Sequence, residues 1–153
     1  MKYTNFQVLI NPYLECTELR EMDKYVAHGK TTVFEHCYLV AKLSYTICTL
    51  LPMEVDIKSV VTGAMLHDYY LYDWHIEDPK HKWHGRTHGR TAYINASKIF
   101  TLTEKEKNII ESHMWPEAFK YPPKYFESII VAMADKIQAS VELVYRKKPN
   151  LNL

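Results

Sequence analysis

The sequence has no excess of charge of either sign. Its 19 Lys and Arg stand against 18 Asp and Glu, a formal net charge of +1 over 153 residues. That balance gives the whole chain no field for gripping nucleic acid or an acidic membrane surface, and leaves the binding of small anions to local groups. Cysteine is scarce and odd in number. Cys16, Cys37 and Cys48 lack paired metal-ligand spacing, and Cys37 and Cys48 share one apolar periodic stretch where free buried thiols are common. None is a candidate for catalysis, and a reducing cytoplasm is the simpler setting. The N-terminal residues lack the basic-then-apolar layout of a signal peptide, and no apolar run approaches the ~20 residues that span a bilayer. Internal repeats and low-complexity tracts are missing too. With 47% hydrophobic residues, the expectation is one domain over residues 1–153, with no nucleic-acid or membrane partner and an oligomeric state left open.

What is present is helical periodicity. Leu14 to Ala27 spaces Leu14, Leu19, Met22 and Val26 like a modest amphipathic helix after an irregular lead-in, Met1 to Pro12. Within and just before that lead-in's end, Tyr3 to Ile10 carries a faint strand signal. His28-Gly29 reads as a helix stop, with His28 as a favourable C-terminal cap. Thr32-Val33-Phe34-Glu35 matches a capping box, so a helix begins near Thr32. Leu51-Pro52 closes it, and Asp56 to Leu71 forms the next. Tyr72 to Arg86 has no clean period and reads as a loop rich in aromatics and imidazoles that covers a site. Thr87 to Phe100 resumes a helical pattern. Thr103 to Glu106 is a second capping box, opening a short helix that stops before Pro116. A longer helix runs from about Tyr125 to Arg146, and the tail Lys147 to Leu153 is expected to fray. The fold class is therefore all-α: an irregular bundle of about six or seven helices.

Several polar groups fall on faces that should be buried. Val60-Val61-Thr62-Gly63-Ala64-Met65-Leu66 is an apolar run ending in His67-Asp68, and helical spacing puts both groups on or beside the inner face. An unpaired buried carboxylate loses several kcal/mol of solvation, so Asp68 must neutralise, find a cation or coordinate a metal. His36 lies three after Val33 and four before Val40, which turns it inward. His113 follows Ile109 and Ile110 at the same spacing. Asp135 ends the run Ile129 to Ala134. His88 sits at a helix start beside the loop. A metal site assembled from several helices is the hypothesis these placements raise.

These residues also carry a resemblance. His36, the doublet His67-Asp68 and Asp135 stand in the order and rough spacing of the HD-domain metal-dependent phosphohydrolases. Around them lie HGKTTVFEH from His28, AMLHDYYLYDW from Ala64, HGRTHGRTAYINASKIF from His84, ESHMWP from Glu111 and VAMADKIQASVE from Val131. Together these blocks resemble a bacterial branch of small HD proteins.

The resemblance implies that His36, His67, Asp68 and Asp135 bind one divalent ion. It further implies that, in a two-ion site, Asp68 bridges and His88 and His113 serve the second. Met114 follows His113 where cyclic-dinucleotide phosphodiesterases have a second histidine, and their Gly-Tyr-Pro stretch is missing, which speaks against that substrate. Gly89 follows His88 where related sequences often have proline.

Imidazole and carboxylate donors suit manganese, iron, cobalt, nickel or zinc. Such ions lower the pKa of water, and a pair roughly 3.5–4 Å apart can hold nucleophile and phosphoryl oxygen together. The implied activity is hydrolysis of a nucleotide or other small phosphorylated metabolite. Asp68 orients the nucleophile, and Lys136, His84 and Arg86 are candidates for binding or neutralising the phosphate. The alternatives are a di-iron oxygenase of the HD type, or a sensor or interaction module in which the metal is only a staple.

Overall fold

The structure is a computed structural model that describes residues 3–145. Its architecture is helical. Six α-helices occur among those residues: α1 (Phe6–Leu14), α2 (Val33–Leu50), α3 (Ile57–Leu66), α4 (His84–Ala96), α5 (Glu104–Ser112) and α6 (Phe126–Tyr145). Two short 3-10 segments, Glu18–Lys24 and Pro79–His81, and one antiparallel hairpin of β1 (Val26–His28) with β2 (Thr31–Thr32) complete the order. This is the all-α bundle the periodicity predicts.

Both capping boxes form. Thr32 Oγ accepts from the Glu35 amide at 3.2 Å and the Glu35 carboxylate accepts from the Thr32 amide at 3.0 Å, which fixes where α2 starts. Thr103 and Glu106 repeat the arrangement at α5. Helix α2 packs along α3 and α6, and α5 closes the other side against α3, α4 and α6. Fully buried Phe34, Val40, Val60, Met65, Leu66, Ile109 and Val131 fill the space between. Within the core, α3 and α5 approach closely at Gly63, where a Cβ would fall 2.4 Å from the Ile109 side chain.

The structure corrects the reading of the first 30 residues. The supposed lead-in and its faint strand, Tyr3 to Ile10, are largely helix α1. Asn5 caps it by accepting from the Gln7 amide, and Phe6, Leu9, Ile10 and Tyr13 hold the 0, 3, 4, 7 spacing of one helical face. Pro12 lies inside α1. Leu14 to Ala27 is not an α-helix. Leu19 and Met22, both buried, sit three apart and suit the three-residue turn of a 3-10 helix, after which Tyr25 is extended. His28-Gly29 is no helix stop either. Gly29, at φ 62°, turns the hairpin in which His28 pairs with Thr31.

Other boundaries shift by about a turn. Helix α3 ends at Leu66 rather than Leu71, so His67 is its C-cap and Asp68 lies in the turn beyond it. Leu71, at φ 59°, reverses the chain there in a conformation that costs a non-glycine residue about 1 kcal/mol or more. Helix α4 starts at His84 instead of Thr87 and ends at Ala96 instead of Phe100. In α6, the expected end at Arg146 and the tail from Lys147 lie outside the described residues.

Candidate metal centre

Four imidazoles and two carboxylates meet where α2, α3, α4, α5 and α6 converge. His36 comes from the first turns of α2, His67 and Asp68 from the end of α3, His88 from the first turns of α4, His113 from the end of α5, and Asp135 from the middle of α6. All six are buried, from 0% exposed for His36 and His67 to 6% for Asp68 and Asp135. For the groups other than Asp135, the helix ends explain the convergence: a group near a helix end can point into a shared space while the helix body fills the core, and Asp135 reaches it from the inner face of α6.

Asp68 stands between two sets of nitrogens. Its Oδ2 lies 3.6 Å from His67 Nε2 and 3.9 Å from His36 Nε2, and its Oδ1 lies 3.1 Å from His88 Nε2 and 3.4 Å from His113 Nε2. Asp135 Oδ1 completes the first set at 3.0 Å from His36 Nε2 and 3.5 Å from His67 Nε2. Three overlapping triads have donor atoms within 4.8 Å of one another: His36, His67 and Asp68; His67, His113 and Asp135; Asp68, His88 and His113.

Every ring is held by its other nitrogen. His67 Nδ1 meets the Ala64 carbonyl at 2.6 Å, His88 Nδ1 the His84 carbonyl at 2.7 Å, and His113 Nδ1 the Ile110 carbonyl at 2.7 Å. A carbonyl only accepts, so each Nδ1 carries a proton and each Nε2 faces the centre as a potential donor of electrons. His36 differs: its Nδ1 sits 3.0 and 3.1 Å from the two oxygens of Glu142. Metal-binding histidines are commonly oriented in this way by carbonyls and carboxylates.

The residues fit a cation. His67 Nε2 and Asp68 Oδ1 are buried without a well-formed hydrogen bond among the described residues, although charged or polar groups of the cluster lie close to both. His88 Nε2 and His113 Nε2 are 2.7 Å apart. Two bare imidazole nitrogens at that distance repel unless a proton or a cation lies between them. Burial holds His113 below the usual imidazole range, which disfavours the proton.

Electrostatics divide the same way. For Asp68 and Asp135 burial favours the neutral acid, but the surrounding imidazoles outweigh it and keep both carboxyls well below the usual carboxylate range. Burial would also lower His36, yet Asp135 and Glu142 prevail and raise it to about 10. An ion entering here displaces protons, as in any site with titrating ligands.

A cavity of about 580 Å³ leads from solvent to Asp68, Asp135, His88 and His113. His84, Arg86 and Lys136 line it. Lys136 donates to the His113 carbonyl at 2.9 Å, and Arg86 lies over the Trp83 ring at 5.0 Å. His84 is in the first turn of α4, stacked on His88 with ring centroids 4.2 Å apart and on Trp74 at 5.3 Å. Burial, reinforced by His88, pushes His84 down to about 3, so its ring is neutral. Tyr72, pushed up to about 12 by burial, stays protonated and shares a hydrogen bond with His84 Nδ1 at 2.7 Å. In the tautomer in which the tyrosine donates, the ring's remaining N–H is at Nε2.

Two contributors escape a reading of the sequence by its apolar pattern. Glu142 is 4% exposed and follows Asp135 by seven residues, two helical turns on the same face of α6. That spacing was the available signal. His28, read as a helix cap, instead lines the cavity with its ring 5.2 Å from His36. Gly89 also has a structural reason: a Cβ there would fall 2.9 Å from the Ile110 carbonyl oxygen and 3.3 Å from His113 Cε1. Its absence lets α4 lie against the end of α5, so that His88 and His113 meet.

Fold and site together define a helical protein built around a buried histidine and aspartate cluster of metal-binding composition. The HD domain family matches residues 33–140, and the chain belongs to that family of metal-dependent phosphohydrolases. No curated protein and no solved structure matches the chain significantly.

Proposed function

We propose that this protein hydrolyses a phosphate ester of a nucleotide or another small phosphorylated metabolite. One observation carries the reading: the two oxygens of Asp68 face two separate pairs of imidazoles at the floor of a cavity open to solvent. His36, His67, Asp68 and Asp135 would hold one divalent ion, and His88 and His113, with Asp68 shared, a second. Bound there, divalent ions supply Lewis acidity and lower the pKa of water toward neutrality.

The chain's own residues do the rest. Asp68, ionised and directed into the cluster, orients the attacking water and accepts its hydrogen bond. Lys136 brings a positive charge to the cavity wall, and its hydrogen bond to the His113 carbonyl fixes where that charge sits. Arg86 contributes a second cation at the mouth. His84 offers a neutral N–H to a phosphate oxygen, an orienting contact rather than a neutralising one. Trp74 and Trp83 narrow the approach and limit water around the phosphate.

The test is phosphate release from a panel of nucleoside phosphates and sugar phosphates with manganese or cobalt present, with His67→Ala as control. Release by the native protein and none by the variant is expected. Equal turnover by both, or a pair of irons that consumes oxygen while releasing no phosphate, would overturn the assignment.

A further inference from the structure

A second cavity, of about 370 Å³, lies on the outer side of Trp83 and Arg86, which also line the first. The two are thus neighbouring chambers with a common wall. Their chemistry differs. The first ends in Asp68 and Asp135, and Glu117 also lines it; the second contains no Asp, Glu, His or Cys among its lining residues and so no carboxylate, imidazole or thiol to bind a metal.

What the second chamber has is positive charge and aromatic surface. Arg86, Arg90 and Lys120 border it. Arg90 is paired with Glu111, whereas Arg86 and Lys120 make no ion pair among the described residues. Trp83 and Phe119 border it as well, 57% and 64% exposed. The exposed Phe119 ring beside exposed Lys120, together with Trp83 carrying Arg86 on its ring, suits a ligand that has both a planar ring and an anionic group.

We propose that this chamber anchors the far end of the substrate: a planar ring against Trp83 and Phe119 and a second anionic group at Arg86 and Lys120, while the scissile phosphate sits at Asp68. The inference rests on the proposed hydrolysis only for the reacting end. Its substrate class is a phosphorylated compound carrying an aromatic ring and at least one further anionic group. Contacts so far from the reacting bond raise specificity through binding energy drawn from the non-reacting part of the ligand.

Isothermal titration of the manganese-loaded protein with inorganic phosphate, AMP and adenosine 3′,5′-bisphosphate separates these contributions. The bisphosphate should bind about tenfold more tightly than AMP, the usual scale of one added charge-assisted hydrogen bond. Lys120→Ala should remove that advantage, and Phe119→Ala should weaken AMP and the bisphosphate alike by about tenfold through lost stacking. Inorganic phosphate should bind all three proteins equally. Both side chains are exposed, so the variants should fold normally, with unchanged circular dichroism as the check. Equal affinity for AMP and bisphosphate in the native protein, or no change in either variant, would overturn the proposal. A bisphosphate that binds in a Lys120-dependent manner when inorganic phosphate does not bind at all would uphold the outer chamber and remove the hydrolytic reading instead.

Discussion

Two clusters of polar groups, one wholly buried and one partly exposed at Asp56, join the same helices at opposite ends. At the far end, Lys105 lies 3.0 Å from Glu127 and 3.3 Å from Asp56, while the Asn108 amide donates to the Pro122 carbonyl and its oxygen accepts from Ser128 and the Lys124 amide. Positive meets negative and donor meets acceptor. At the cavity floor, by contrast, two carboxylates and four imidazoles gather with no lysine or arginine among them, and His67 Nε2 and Asp68 Oδ1 have no hydrogen-bond partner among the described residues. Both clusters tie α3, α5 and α6 together, so structural need alone does not explain the difference. The far cluster is complete in itself; the cavity cluster has the composition and spacing of a group that could hold a metal ion.

The comparison can be broken most severely at Asp68. Asp68→Ala should lower phosphate release by roughly 10³-fold or more, since it removes the one group shared by both halves of the cluster. Steady-state assay with added manganese is the check. Next, Glu142→Gln should weaken binding of the first ion about 10-fold to 100-fold, as loss of an orienting carboxylate does, while the fold persists. Metal titration followed calorimetrically reads this directly.

Gly89→Ala presses a Cβ onto the Ile110 carbonyl and His113, so α4 should be pushed away from α5. The expected result is a loss of about 1–3 kcal/mol in stability and a metal stoichiometry reduced from two toward one. In contrast, Lys105→Ala should cost about 1 kcal/mol in denaturant titration by leaving the buried Glu127 carboxylate without its cation, yet leave metal uptake unchanged.

pH sharpens the contrast: the carboxyls of both ends are lowered, Asp68 and Asp135 like Asp56 and Glu127, and the cavity end adds His36, which responds with the opposite sign. Burial alone would raise the carboxyls of Asp56 and Glu127, but hydrogen bonds and Lys105 lower both. Their contribution is therefore present above the unfolded carboxylate values, about 4, and is lost as pH falls through their lower folded values. His36 is raised to about 10 instead. Its protonation stabilises the metal-free fold fully below the unfolded value, about 6.5, and that contribution disappears as pH rises toward 10. Since an ion must displace this proton, metal affinity should increase between pH 6.5 and 8.5, with proton release visible in buffers of different ionisation enthalpy.

Much of this was legible in the residues. Two capping boxes announced α2 and α5, and apolar spacing turned His36, His67, Asp68, His113 and Asp135 inward, because a helix keeps its periodicity whatever it packs against. The first 30 residues were not legible in the same way. A 3-10 turn and a two-residue hairpin are chosen by packing under α2 rather than by any local period, and Pro12 masked the helix that contains it. Glu142 was hidden because a carboxylate near the end of a long helix looks like solvated surface until its partner across the bundle is known. His84 looked like part of a loop because the aromatic and imidazole residues before it have no pattern, and only the stacking on His88 makes it the opening turn of α4.

The most direct measurement is anomalous diffraction from crystals of the protein purified with its native metal. One or two transition-metal ions should lie within the cluster, bound through Nε2 of the imidazoles and through Asp68, with at least one coordination position left to water. Crystals in which the six side chains hold no ion under metal-replete conditions, or in which protein atoms close every position, would contradict a hydrolytic centre.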